Sequence, residues 1–429
     1  VNQTLDRDIR RLALPALGAL AADPLVSMVD TAFVGRLGVV PLGALGVNAS
    51  VFSLAFVVFN FLAYGTTPRI ARAVGRGDRE EAGRLAVQAL VLAAATGVLA
   101  LLVLQLFAGP ILGVMGAEGD LRASALEYLR VRALAGPAVL LIIAGHGIYR
   151  GWQDTRTPLW LTLAVNLVNL VLDPLLIFGL GWGLAGAAWA TMIAQWVGAG
   201  LFLHALFVRG RERFSIVPHL PRPRDLLPFL HIGGSLGVRT FTLVGTMTLA
   251  TSVATRLGPI EIAAHQIATQ LWLLLALVVD ALAVAGQALV ARHRDTPTAR
   301  AAADRLLWWG MWVGFGLAGL FLLAAPVLPR LFTDAPVTIA QTRALLPFVI
   351  FMQPLNALVF VWDGIFMGAE AFGLLARQML LSAAGAVVLL LLVLPLGLGL
   401  AGVWWGIVTL MAGRALTLGH AYWGRSRIP

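Results

Sequence analysis

Apolar and polar positions are segregated along this chain in whole segments rather than single turns. Twelve apolar stretches begin near residues 11, 46, 84, 125, 158, 183, 228, 262, 304, 341, 374 and 400. Each is long enough to cross about 30 Å of hydrocarbon as a helix. The intervals between them are short, and none is large enough for a soluble domain. The start of the chain is charged (Asp6, Arg7, Asp8, Arg10, Arg11) and runs into an apolar stretch interrupted by Asp23 and Asp30. No A-x-A exit follows, so the stretch reads as a first span rather than a cleaved signal. The pattern predicts an all-α membrane protein with twelve transmembrane helices.

A second regularity lies across the halves. RLGVVPLGALGV from Arg36 aligns with RLGPIEIAAHQI from Arg256, and PRIAR ending at Arg72 with ALVAR ending at Arg292. Pro137 falls opposite Pro354, GIYRG (Gly147 to Gly151) opposite GIFMG (Gly364 to Gly368), and GLAGAAWA from Gly183 opposite GLAGVWWG from Gly399. Six spans followed by six in the same orientation make a parallel repeat, with a pseudo-two-fold axis along the membrane normal. The expected lobes are two pseudo-symmetric six-helix bundles, residues 1–214 and 215–429. The Arg- and Pro-rich stretch RGRERFSIVPHLPRPRD between spans 6 and 7 reads as boundary and hinge.

Composition agrees with the spans. Apolar residues make up 59% of the chain, charged residues 12%, and mean hydropathy is +0.87. A soluble domain runs about 45–50% apolar and about 25% charged. So much apolar surface cannot all be buried in the chain's own core, and lipid must cover the rest. There is no cysteine, hence no disulfide frame and no thiol chemistry, which leaves the redox compartment open.

The net charge of +10 comes from arginine alone, without lysine. The arginines sort by loop: Arg69, Arg72, Arg76, Arg79 and Arg84 after span 2, Arg150 and Arg156 after span 4, and Arg209, Arg211, Arg213, Arg222 and Arg224 after span 6. Arg292, Arg294, Arg300 and Arg305 follow span 8, Arg377 follows span 10, and Arg425 and Arg427 end the chain. The loops after spans 5 and 11 carry no charge, and the loop after span 3 mixes Glu118, Asp120 and Glu127 with Arg122, Arg130 and Arg132. By the positive-inside rule both termini and the even-numbered loops are expected to be cytoplasmic. Arginine spread over short loops also argues against a nucleic-acid partner.

Five acids fall inside predicted spans: Asp23, Asp30, Asp173, Asp280 and Asp363. Each costs at least about 2.5–3.5 kcal/mol near mid-bilayer, so each needs a reason. Asn166, Asn169 and Asp173 are spaced i, i+3, i+7 and share one helix face. Such a face can bind a hard cation, hold a proton if a second acid approaches, or glue helices together. The residues alone leave these open. The repeat partner of Asp30 is Ala250, and that of Asp173 is Leu389 or Leu390, so the helical scaffold does not require either acid. Asp280 aligns with Asn60 and is expected to pair with Arg239 in a mainly structural contact. Asp363, next to Trp362, is expected to line a cavity of the second half; Trp272 and Trp362 are candidates for ligand stacking. Gly147-x-x-x-Gly151 and Gly310-x-x-x-Gly314 read as helix-packing faces. The seven histidines show no metal-ligand spacing, and the sequon at Asn48 reads as chance.

As an ordered set, SMVDTAFVGRLG in span 1, PRIARAVGRGDREEA after span 2, NLVNLVLDPLLIFG in span 5, GLAGAAWAT in span 6 and AAHQI in span 8 resemble the multidrug and toxic compound extrusion (MATE) transporters over the whole chain. DTAFVGRLG with LVVDALAVAGQALVA resembles the branch named for DNA-damage-inducible protein F. The resemblance implies a MATE / MOP-type fold and a transporter rather than an enzyme. It also implies a cation site in the first lobe. The family's span 1 acid falls on Asp30, its span 5 Asn and Asp on Asn169 and Asp173, its span 6 hydroxyl on Thr191, and a backbone carbonyl on Ala187. Asp30, Asn169, Asp173 and Thr191 would be the ligands of a Na⁺ ion. The expected activity is secondary antiport of drug-like, often cationic, compounds against inward Na⁺ or H⁺, with the drug cleft between lobes. Membrane lipid is the other expected partner, no cofactor is expected, and a monomer in the inner membrane is anticipated. The alternative is a lipid-linked precursor flippase of the same superfamily, which the mostly acidic intramembrane charges disfavour.

Overall fold

A computed structural model of the chain describes all residues except 1, 116, 211–213, 218–220, 295, 333–335 and 425–429, and leaves aside the side chains of residues 2, 23, 28, 39, 42, 209, 223, 230, 255 and 259. Arg211, Arg213, Arg425 and Arg427, and the side chains of Asp23 and Arg209, therefore lie outside the described residues. Among those described there is no strand.

The first half holds α1 (Asn2–Gly35), α2 (Val39–Val57), α3 (Phe61–Gly75), α4 (Arg79–Val114), α5 (Gly119–Ala133), α6 (Gly136–Gly151), α7 (Arg156–Pro174) and α8 (Gly183–His204). The second holds α9 (Pro223–Leu257), α10 (Pro259–Arg292), α11 (Thr298–Ala324), α12 (Pro336–Phe351), α13 (Gln353–Gly368), α14 (Phe372–Val393) and α15 (Gly399–Trp423). Nine helices among the described residues are long and apolar enough to cross a membrane, and two pairs bent by 50°, α5–α6 and α12–α13, raise this to eleven. α9, at 35 residues, is the twelfth segment of spanning length. Large side chains such as Leu106, Leu323 and Leu416 stand open on the outside, as lipid-facing positions do. Charges written above as loop residues sit in helices: Glu127, Arg130 and Arg132 in α5, and Arg150 in α6.

The chain divides into two compact units, Leu14–Gly233 and Val1–Ala13 with Gly234–Pro429. The division falls inside α9 rather than at residue 214, and the start of α1 goes with the second unit. Side-chain contacts supply the reason. Asp6 accepts two hydrogen bonds of 2.6 Å from Arg305 and one of 2.7 Å from the Trp309 indole in the second unit. In the first unit Phe229 lies under the Arg69 guanidinium at 4.3 Å.

Inside each unit the same packing recurs. A Cβ on Gly97 would lie 2.5 Å from the Cα of Pro137, and one on Gly314 would lie 2.7 Å from the Cα of Pro354. A Cβ on Gly147 would meet Ala63, and one on Gly364 would meet Ala283, below 3 Å in both. The reversals before α8 and α15 use Gly181 and Gly183 (φ 69° and 56°) and Gly397 and Gly399 (φ 62° and 60°), a conformation glycine reaches without a Cβ penalty. The Gly147/Gly151 face packs on α3, and the Gly310/Gly314 face on α13, as the small-residue spacing predicts.

Candidate functional site

The first unit encloses a cavity of about 660 Å³. Asp30 from α1, Asn166 and Asn169 from α7, and Thr191 from α8 all line it. The i, i+3 spacing of the two asparagines turns both toward the same space. Asp173 lies one turn beyond Asn169, fully buried. Pro174 follows it, and residues Leu175–Gly179 wind as a single π-turn, a feature that often sits at functional positions. The carboxyl group of Asp173 neighbours that of Asp30. Neither Asp173 oxygen, nor Oδ1 of Asp30, nor the Asn169 amide nitrogen meets a hydrogen-bonding partner among the described residues.

Two acids without compensating donors suit a cation, since ionised carboxylates left bare in a low-dielectric interior are costly. The oxygens at hand are those of Asp30, Asp173, Asn169 and Thr191, a hard, all-oxygen set. The Thr191 hydroxyl donates to the Ala187 carbonyl at 2.9 Å, which leaves that oxygen a second lone pair. No group of three or more His, Cys, Asp or Glu able to hold a metal ion occurs among the described residues. Any cation here must therefore draw on neutral oxygens as well as the two carboxylates.

Further polar groups line the same cavity that sequence reading had not assigned to it: Tyr128, Arg132, His146, Arg150, Asn60 and Gln195. Nε2 of His146 lies 3.2 Å from the Thr162 hydroxyl, and its ring packs on Phe202. The charges of α5 hid Tyr128 and Arg132 by making that segment resemble a loop. The repeat held a signal: Leu345 and Val349 occupy the places of Tyr128 and Arg132 in the second half.

In the second unit the intramembrane charges are compensated. Asp363 on α13 accepts hydrogen bonds from Arg239 on α9 and Arg414 on α15. Asp363 is thus a buried ion-pair centre rather than an acid open to a cavity, and Arg239 has it as a partner that sequence reading had not supplied. Asp280 contributes through its charge on Arg414. Trp362 is buried against Tyr422 and Trp423, and Trp272 packs edge-on against Phe360, so protein aromatics already cover both rings. Asn48 is fully buried and donates to the carbonyls of Ala44 and Ala125, which leaves the sequon a packing residue.

Twelve spanning segments in a parallel repeat, with a buried acid pair beside a cavity inside one half, are the architecture of a membrane transporter. The MatE family model matches residues 15–175 and 236–399, and the chain belongs to that family, the MATE transporters. Protein DETOXIFICATION 44, chloroplastic, from Arabidopsis thaliana is 38% identical over 94% of this chain and 80% of its own length. DNA damage-inducible protein F of Escherichia coli is 29% identical over 98% of this chain and 92% of its own. Among solved structures, a MATE in the bent conformation superposes with a TM-score of 0.86 at 26% identity, covering 99% of this chain and 95% of that one. An outward-facing multidrug resistance MATE transporter of the MOP superfamily gives 0.84 at 26% identity, over 99% and 96%.

Proposed function

We propose that the chain is a secondary antiporter, exporting organic compounds against an inward Na⁺ or H⁺ gradient, with the Asp30–Asp173 pair as the coupling group. The observation that carries this reading is the pair itself: two neighbouring carboxyl groups, one fully buried, neither of them in an ion pair among the described residues. Asn169, Thr191 and the Ala187 carbonyl supply further oxygens to a bound Na⁺. A proton taken up by the pair neutralises the same repulsion.

Coupling needs the bound ion to alter the fold around it. Asp30 shares α1 with Pro15 and Pro24, and each proline removes a helix hydrogen bond, so α1 can bend where an unbroken helix would resist. Two parallel six-helix repeats support alternating access by rocking of one repeat against the other. The distribution of arginine supports cytoplasmic termini.

The test is export from proteoliposomes with Na⁺ and H⁺ gradients imposed separately and a panel of organic dyes as cargo. Export should follow at least one gradient and should be lost in Asp173→Asn. Dye movement indifferent to both gradients overturns the antiport reading.

A further inference from the structure

Arg132 stands at the end of α5, just ahead of the 50° bend into α6. The two helices together have the length and apolarity of one bent span, Gly119–Gly151, and Arg132 falls near the middle of it. Arginine at that depth faces a water-filled cavity or finds an acid to pair with. Arg132 lines the 660 Å³ cavity, yet it makes no ion pair among the described residues. Its neighbours are the Phe52 ring, 5.2 Å from the guanidinium carbon, and the Tyr128 hydroxyl. The charge of Asp30 reaches it across the cavity without forming a pair.

The bent span does not need this charge to fold. At the matching positions of the second half, Leu345 and Val349 replace Tyr128 and Arg132 and are buried core residues, while α12 and α13 keep the same 50° bend. The cavity is also far larger than a coupling ion needs and falls in the size range of organic-ligand sites. Its charges are laid out in two poles. Asp30, with the fully buried Asp173 behind it, forms the acidic one; Arg132 forms the basic one with Phe52 as an aromatic wall, and Arg150 lines the cavity as well.

We infer that this cavity selects organic zwitterions: the ligand's cationic end displaces the coupling ion at Asp30 and Asp173, and its carboxylate pairs with Arg132 beside the Tyr128 hydroxyl. The displacement half rests on the antiport reading given above; the carboxylate half rests on Arg132. A guanidinium offers parallel N–H donors that match a carboxylate's two oxygens. A ligand with the cation alone leaves Arg132 unneutralised and adds a like charge to the cavity, so discrimination arises from repulsion as well as attraction. Arg132 is thereby a specificity-determining residue and not part of the coupling pair.

The experiment compares binding of rhodamine B, a cationic dye with a free carboxylate, and rhodamine B ethyl ester, which keeps the cation and lacks the acid. Binding to the full chain in detergent is followed by fluorescence anisotropy, without any ion gradient. The wild type should prefer the free acid by at least about tenfold, the worth of one charged hydrogen-bonded contact. Arg132→Gln should abolish that preference, chiefly by weakening the acid and in smaller part by tightening the ester, and Arg132→Lys should keep part of it. A wild type that binds the two dyes equally, binds neither, or prefers the ester overturns the inference, whatever the variants do. A preference that survives Arg132→Gln also overturns it. Failure of the antiport reading appears elsewhere, as gradient-independent export in proteoliposomes, and leaves the equilibrium preference for the acid readable.

Discussion

Asp30 on α1 and Asp173 on α7 place their carboxyl groups against each other inside one unit, and no donor from the described residues compensates the second of them. In the other unit, Asp363 receives two arginines. One chain thus treats buried acid in two opposite ways, and the contrast makes the roles separable by mutation.

Replacing Asp173 by Asn keeps the shape of the site and removes its charge. The variant should insert and fold, and it should lose gradient-driven dye export by about tenfold or more while still binding dye. Asp30→Asn should behave alike. Asp173→Asn transporting at the wild-type rate with unchanged ion dependence would place coupling elsewhere. Export under imposed gradients, beside dye binding in detergent, is the measurement.

Removing Asp363 leaves the Arg239 and Arg414 guanidinium groups facing each other without their shared acid. Breaking a buried pair in this way costs about 3–5 kcal/mol. Asp363→Asn should therefore lower the thermal midpoint of the detergent-solubilised protein strongly, where Asp173→Asn should not. Asp280→Asn, which removes a charge that acts on Arg414, should likewise damage folding more than ion coupling. Thermal unfolding followed by tryptophan fluorescence separates the two classes.

The close approaches at Gly97 and Gly314 leave no room for a methyl group against backbone. Gly97→Ala and Gly314→Ala should each destabilise by about 1–3 kcal/mol, as overpacked cores do. Gly316→Ala, where nothing lies within 4 Å of the added Cβ, should be neutral or gain about 0.5–1 kcal/mol of helix stability. Equal thermal midpoints for all three would show that the paired helices shift freely.

The arginine distribution predicts which side each loop faces. Reporters fused after Ser215 and at the C-terminus should both read cytoplasmic. A reporter inserted in the uncharged turn before α8 should read on the opposite side. Any reversal would break the twelve-span topology.

Much of this architecture was legible in the residues alone because it depends on local quantities. Span length follows from runs of apolar residues, the repeat from Gly, Pro and Arg in matching order, and the shared face of Asn166 and Asn169 from helical periodicity. Gly147 and Gly310 disclosed packing faces for the same reason: the absence of a side chain is written in the sequence. Tertiary structure decided what depends on distant helices. Asp363 looked like an acid open to a cavity until Arg239 and Arg414, from two other helices, were seen to converge on it. Arg132 looked like a loop charge because charges near it lower the apolar signal of α5, while the bend after Ala133 carries it into the first unit's cavity. The start of α1 goes with the second unit, where Asp6 meets Arg305, and the start of α9 with the first, where Phe229 meets Arg69. Hydropathy and periodicity are sums over neighbours in sequence, whereas charge compensation is a property of neighbours in space, and only the packed helices bring those together.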